Sequence, residues 1–355
     1  MATTLTMAAT DVDAGLAPRV RRLKEIAVTF ADDLDPAERG VAVTRSYMET
    51  EGLPIVLRRA HATARALAEQ SVEIFPGELV VGRTMCQVAA HRGIQEGHQG
   101  RNQLAYPELQ GGWLNQADDP LAEIEELYSY WRSAHKPPGA RINAERADEE
   151  RRAMDRGVYT AWGLDMVHRC PGHEQLVREG LGAVRDRARQ RLADLADESQ
   201  RPFLEAIVIV CQAVIDYAHR YAREARRLAD GESDSVRHEE LLQIADRCER
   251  VPEFPAESFA EALQSVWFLQ CGQYMETCGS AHSFGRGDQY LYPLYQADVA
   301  TGDLTRGGAL ELIECFHLKC YMTFDFQLMM IGGVDRAGND ATNELSYLFL
   351  DALEA

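Results

Sequence analysis

The sequence is short of positive charge, has no paired-cysteine motif and contains no long apolar run, and each shortage removes a class of function. Its 37 Lys and Arg face 56 Asp and Glu, a net charge of −19. An acidic surface of that kind repels phosphate backbones and anionic lipid, so neither nucleic acid nor a membrane is expected as a partner. No stretch approaches the ~18 consecutive apolar residues of a membrane span. The opening MATTLTMAATDVDAGLAP has neither the basic start nor the apolar core of a secretory signal, so residues 1–15 are expected to be a flexible tail on a cytoplasmic protein. The eight cysteines include no CxxC pair; Cys271 and Cys278, and Cys315 and Cys320, lie outside the usual zinc spacings. Free cytosolic thiols follow. His91, Glu96 and His98 offer metal-ligand types, but HRGIQEGHQG has no helical pattern to align them, so no metal is expected and a His-based metal hydrolase rests on these residues alone.

What is present is the composition of a soluble globular chain, 46% hydrophobic and 26% charged over 355 residues, enough for a full core. Helical periodicity dominates. Arg19 to Leu34 is amphipathic, Asp35-Pro36 opens a second helix into Ser46 and Met48, and Pro54 is expected in the first turn of a third. Glu78 to Gly82 reads as a short buried strand, and Met85 to Gly112 has no clear period. Leu121 to Trp131 and Ala144 to Met154 predict polar surface helices, joined by the turn Lys136 to Ala140. A helix is expected from about Pro171 to Leu195, and the longest from Phe203 to Arg227, with Phe203, Ile207, Val210, Val214, Ala218 and Tyr221 on its core face. Another runs from His238 to Arg247. Ser258 and Glu261 form a capping box for a buried helix to Met275. Leu304 to Lys319 places Leu312, Ile313, Phe316 and Cys320 on one face; FDFQLMMIGGVD predicts a buried strand; Asp340 or Thr342 is expected to cap a last helix.

Between the helix ending at Met275 and the one from Leu304 lies GSAHSFGRGDQYLYPLY, Gly279 to Tyr295, where apolar periodicity gives way to a loop of small, hydroxylated, ionic and aromatic residues. Gly285 and Gly287 allow close backbone approaches, His282 and Ser283 supply donors and acceptors, and Arg286 and Asp288 carry opposite charges. Read by residue type, this is a polar surface loop with an ordinary ion pair. As a string it resembles the substrate-facing loop of the glycyl radical enzymes, the family of pyruvate formate-lyase, choline lyase and the glycerol and propanediol dehydratases. In that family HS-x-GR-x-DQYL-x-P follows a helix of type FxEALQxxWF, here FAEALQSVWF at Phe259 to Phe268. ETEGLPIVLRRAHATARAL, IFPGELVVGRT, the segment around His168, Pro171, Glu174 and Val177, and GVDRAGNDATNELSYL also match, so the resemblance covers nearly the whole chain, nearest to the diol dehydratase branch.

The resemblance implies an α/β, helix-rich fold: the N-terminal part of the pyruvate formate-lyase-type ten-stranded α/β barrel, about one half-barrel with its surrounding helices over residues 16–355. It implies radical chemistry on a small polar hydroxylated or carbonyl substrate, with no bound cofactor but a protein glycyl radical installed by a radical-SAM activating enzyme and passed to a cysteine. The family's Gly-Cys-x-Glu and Arg-Val-x-Gly-Tyr type motifs are both absent here. The chain is therefore expected to be the N-terminal portion of such an enzyme, inactive alone, needing a C-terminal partner polypeptide and forming homo-oligomers. A non-catalytic relative that acts by binding or assembly is the alternative. His168 occupies the place of a substrate-hydroxyl ligand, and His282 and Ser283 match the pair that binds substrate hydroxyls, an imidazole there being able to donate a proton. Arg286 and Asp288 are expected to structure the loop, with Arg286→Lys loosening it. Cys278 is read as inert packing. The interval from Lys319 to Gly332 is short for the family, so its aromatic substrate contacts are not carried over.

Overall fold

The computed structural model describes residues 16–29, 38–84, 127, 130, 147–158, 169–277, 282–323 and 327–354. The expected tail, the irregular stretch with His91, Glu96 and His98, the helix from Leu121 apart from Leu127 and Tyr130, the Lys136 turn, His168, Cys86 and Cys278 lie outside them.

Helices carry the described architecture. The first three are α1 (Pro18–Thr29), α2 (Glu38–Glu49) and α3 (Ile55–Glu69), followed by the short exposed α4 (Asp148–Asp155). Pro54 sits just before α3 rather than in its first turn, and its carbonyl accepts from Leu57 and Arg58. The central layer is α5 (His173–Ala193), α6 (Arg201–Asp230), α7 (Ser235–Arg250) and α8 (Phe259–Thr277). Ser258 Oγ accepts from the Glu261 amide, but the Glu261 carboxylate reaches back to the amide of Glu257, one residue earlier than a closed capping box would require. α8 is buried on all sides, as Ala262, Val266, Trp267, Phe268 and Cys271 show. A helix apolar all round belongs inside a core.

The core-face prediction for α6 fails at its start. Val214, Ala218 and Tyr221 are buried, whereas Phe203 is 60% exposed; in the first turns the buried residues are Leu204 and Ala206, the latter clustered with Leu57 and Ala60 of α3. α6 also carries the described chain's one apolar window long enough to span a bilayer, yet its inner side, with Tyr217, Ala218 and Tyr221, is buried in the core. α5 is kinked at Gly180, whose φ is +74°. An added Cβ there would sit 2.2 Å from the Glu253 carbonyl oxygen. The kink turns the amides of Leu181 and Gly182 out to the carbonyls of Pro252 and Glu253.

Glu78 to Gly82 is not a strand. It is an irregular segment, bent at Leu79 and Val80, whose polar backbone groups are met by side chains of the helices around it. Gln264 bonds both the amide and the carbonyl of Val81, Trp267 Nε1 donates to Gly82, and Arg237 and Arg247 donate to Glu78 and Leu79. Sequence periodicity sees the burial but not the source of the hydrogen bonds. Beside it the carboxylate of Glu78 pairs with Lys319, both almost wholly buried.

After α8 comes β1 (His282–Gly285), then α9 (Gly287–Tyr290), α10 (Tyr292–Thr301), α11 (Arg306–Met322), β2 (Gln327–Met329) and α12 (Glu344–Glu354). β1 and β2 pair in parallel, His282 opposite Gln327 and Ser283 opposite Leu328, with an irregularity between Ser283 and Gly285. Arg169 bridges to His282 on the other side of β1. The strand predicted within FDFQLMMIGGVD is present but not buried: Leu328 and Met330 are 60% and 64% exposed. α12 is capped neither by Asp340 nor by Thr342; the side chain of Asn343 accepts from the amides of Leu345 and Ser346.

Candidate functional site

The segment expected to be a loop from Gly279 is a strand from His282 onward. The core helix α8 delivers it, and Phe284, 2% exposed, anchors it against Phe316 of α11, 5.0 Å between ring centres. Successive strand side chains leave on opposite faces. His282 and Phe284 are accordingly buried, while Ser283 and Gly285 are only half-covered. The imidazole and the hydroxyl share a strand, not one face, so they do not stand side by side.

His282 is 1% exposed. The edge of Tyr274 meets its ring, 4.8 Å between centres, and its Nε2 lies 3.3 Å from Thr277 Oγ1, both on the last turns of α8. Its Nδ1 is buried without a hydrogen-bond partner. Burial, and then the positive charge of Arg169, push the imidazole down to about 4. At neutral pH the ring is therefore uncharged and offers a hydrogen bond rather than a transferable proton. The Ser283 amide donates to the carbonyl of Arg169 at 2.6 Å, which joins the segment before α5 to β1.

Arg169 leads to a basic cluster at the C-terminal end of α8. Its Nη1 lies 3.3 Å from Glu276, and Arg59 Nε lies 2.9 Å from the other carboxylate oxygen. The buried Arg39 donates to the carbonyls of Met275 and Glu276. Cations at a helix C-terminus offset its partial negative charge, so this cluster holds the end of α8 in place beneath β1.

Arg286 and Asp288 do not pair with each other; each ties the turn after β1 to the chain beyond β2. Arg286 donates through Nη1 to Val334 O at 3.0 Å and through Nη2 to Gly332 O at 2.6 Å. Asp288, fully buried, accepts from the Gly332 amide at 2.6 Å and from the Ser346 hydroxyl, and its own carbonyl accepts from Asn343 Nδ2. Gly287 allows the close approach here, since a Cβ would meet Met329 Sδ at 2.6 Å.

Sequence reasoning missed His173, at the first turn of α5. It is 1% exposed, lies 5.7 Å from Phe284 and 6.3 Å from Tyr290 between ring centres, and is pushed down to about 4 by burial. It also missed Tyr274, Thr277 and the Arg39, Arg59 and Arg169 cluster. The one signal for His173 was its place in HRCPGHEQ beside His168; nothing in helical spacing points it at β1.

Among the described residues no group of His, Cys, Asp and Glu is placed to hold a metal ion. Cys211, Cys248, Cys271 and Cys315 are buried, and burial raises every one of these thiols, Cys211 to about 11 and Cys248 and Cys315 to about 12. Such thiols are inert packing rather than reactive groups.

A family model described as pyruvate formate lyase-like matches residues 10–355. The isethionate sulfite-lyase of Desulfovibrio desulfuricans is 32% identical over 94% of this chain and 44% of its own length. Among solved structures, a protein of 1,2-propanediol dehydration in Roseburia inulinivorans superposes with a TM-score of 0.81 at 33% identity, over 96% of this chain and 46% of the other. The B12-independent glycerol dehydratase from Clostridium butyricum gives a TM-score of 0.76 at 26% identity, over 95% and 45%. The chain thus spans less than half the length of these relatives, and its helices and short parallel strands are part of their α/β barrel fold.

Proposed function

Because this chain belongs to the pyruvate formate lyase-like family, we propose that it supplies the N-terminal, substrate-facing portion of a glycyl radical lyase or dehydratase acting on a small hydroxylated molecule. In such enzymes a protein glycyl radical, installed by a radical-SAM activating enzyme and relayed to a cysteine thiol, supplies hydrogen abstraction. None of the six described cysteines lies in a Gly-Cys-x-Glu string: Cys211, Cys248, Cys271 and Cys315 are buried with raised thiols, Cys320 is half-buried and Cys170 is exposed. No radical step is assigned to this chain. Its part is to bind and orient.

The observation that carries this reading is the buried, unpartnered Nδ1 of His282 on β1. A buried polar atom without a partner costs about 1–3 kcal/mol, and a substrate hydroxyl would satisfy it. The ring is neutral, so it holds that hydroxyl by hydrogen bonding and does not itself protonate it. Ser283 lies on the opposite, half-covered face of the strand and is assigned to a contact separate from that of His282. His168, one residue before Arg169, is assigned to the same substrate contact through its place in the family string. Arg286 and Asp288 hold the turn that positions β1.

The test is reconstitution. The chain, co-expressed with a polypeptide carrying the two missing motifs and activated anaerobically, is expected to give an organic radical signal and turnover of one of isethionate, propane-1,2-diol or glycerol. His282→Ala should lower kcat/KM about a hundredfold, and His282→Gln should restore part of it. A radical signal with turnover unaffected by His282→Ala would overturn the site; no radical signal and no turnover would overturn the function.

A further inference from the structure

His282 meets two residues on the last turns of α8, and each fixes a different property of its ring. Tyr274 stands edge-on, 4.8 Å between ring centres with the planes at 90°, a favoured arrangement of aromatic rings that holds the plane of the imidazole. Thr277, three residues further along the helix, brings its Oγ1 to 3.3 Å from Nε2. All three side chains are buried.

The Thr277 hydroxyl has a single proton, and His282 is not its only contact. It also lies 3.1 Å from the main-chain carbonyl of Gln273, one turn earlier. Helical threonines return their hydroxyl to the carbonyl four residues before them in this way. A carbonyl oxygen has no proton to give, so the hydroxyl proton must lie between the two oxygens; otherwise their lone pairs would oppose each other. Oγ1 therefore turns a lone pair to His282, and the contact with Nε2 is attractive when Nε2 carries the hydrogen. A neutral imidazole has one N–H. With that hydrogen on Nε2, Nδ1 is a bare acceptor, and Nδ1 is the buried ring atom without a hydrogen-bond partner among the described residues. The support continues outward. Gln273 Nε2 donates to Gln270 at 3.1 Å and Gln270 donates to Gln327 of β2 at 3.0 Å, so the turn of α8 that orients the ring is tied to the strand paired with β1.

We infer that Thr277 is a positioning residue that holds His282 in its Nε2–H form, so that the open Nδ1 selects a ligand group that donates a hydrogen bond, a hydroxyl or an amine, over one that only accepts, a carbonyl or an ether. The form of a neutral imidazole is set by the hydrogen bond that one of its nitrogens makes, and a site built to pair with a hydroxyl rejects an analogue that lacks it. Of the hydroxylated and carbonyl substrates that the family string implies, the hydroxylated class alone fits. This deepens the reading above and rests on it for the presence of a ligand, while the form of the ring is a property of the chain by itself.

The test is long-range proton–nitrogen NMR of the full 355-residue chain with isotope-labelled histidine, at about pH 7.5, where an ordinary histidine is neutral. His282→Gln assigns the signal by removing it. A single ring form with hydrogen on Nε2 is expected in the unaltered chain. Thr277→Val keeps the shape of the side chain and removes the acceptor, so the ring should shift to the Nδ1–H form or to a mixture of the two; Thr277→Ser should restore the original pattern. The signals of His173 and His317 should stay in place in both variants, which a general loosening of the core would not allow. Hydrogen on Nδ1 in the unaltered chain, or a ring form unchanged by Thr277→Val in a chain that circular dichroism shows to be folded, would overturn the proposal. The Nε2–H form in a chain that gives no turnover on reconstitution would leave the role of Thr277 standing and overturn the function. The Nδ1–H form in a chain whose turnover depends on His282 would do the reverse.

Discussion

A few side chains carry more than their share of this fold, and all of them are buried polar groups. Glu78 and Lys319 form an ion pair out of contact with water. Removal from solvent pushes the Glu78 carboxyl up, and Lys319 then draws it back. Removing one member of such a pair leaves a buried charge, which costs about 3–5 kcal/mol, whereas replacing both with apolar residues is often neutral. Lys319→Met should therefore destabilise strongly in urea unfolding, and the double change Glu78→Leu with Lys319→Met should recover most of the loss. Asp288 accepts from Gly332 and Ser346 without any solvent exposure. Asp288→Ala is expected to cost about 2–3 kcal/mol and to speed amide exchange at Gly332.

The buried imidazoles set a pH dependence with a definite sign. His173, His282 and His317 are each pushed down to about 4, in every case first by burial. An unfolded His titrates near 6.5. Above about pH 6.5 both states hold neutral rings and stability is flat in these groups. As pH falls from there towards 4, the unfolded chain takes up protons that the folded chain refuses, so stability declines, by on the order of 3 kcal/mol per group at most. The melting temperature should drop across that window, and His173→Gln should flatten the slope.

At the scale of the element, two segments owe their shape to neighbours. The irregular run from Glu78 to Gly82 keeps its backbone satisfied because α7 and α8 turn side chains towards it. Gln264 alone meets two of those groups, at 2.9 Å and 2.6 Å. Gln264→Leu matches the volume but orphans both, and is expected to cost about 2–4 kcal/mol in chemical unfolding. α5 depends on Gly180 in the same way. With φ at +74° and no room for a Cβ against Glu253, Gly180→Ala should force either the kink or the 252–254 segment to move, a loss of about 2–4 kcal/mol readable as a lower melting temperature.

For the whole molecule, the contrast is between a well-packed helical centre and an uncovered margin. α8, with Trp267, Phe268 and Cys271 at the middle of the core, joins the N-terminal helices to β1. The margin, β2 and the outer side of α12, presents exposed Leu and Met on a parallel edge. An exposed edge of this kind is a template for pairing with another chain, a matter of oligomeric state and co-assembly rather than of the core.

Much of this was legible without coordinates. Helix positions followed from 3.6-residue periodicity, because a helix in a core must show its burial in its own spacing, as Val214, Ala218 and Tyr221 do. The string from Gly279 to Tyr295 marked the family through residue identity alone. What the tertiary structure alone decided are the contacts between segments far apart in sequence. Whether His282 to Gly285 is loop or strand depended on β2, more than forty residues later. Whether Glu78 to Gly82 is a strand depended on Gln264 and Trp267 reaching its backbone first. That His282 and Ser283 part to opposite faces depended on pairing, since a strand's alternation exists only once its register is set. Local periodicity records which side of an element is covered; the identity of the cover is a property of chain reversal and packing, and no single stretch of sequence holds it.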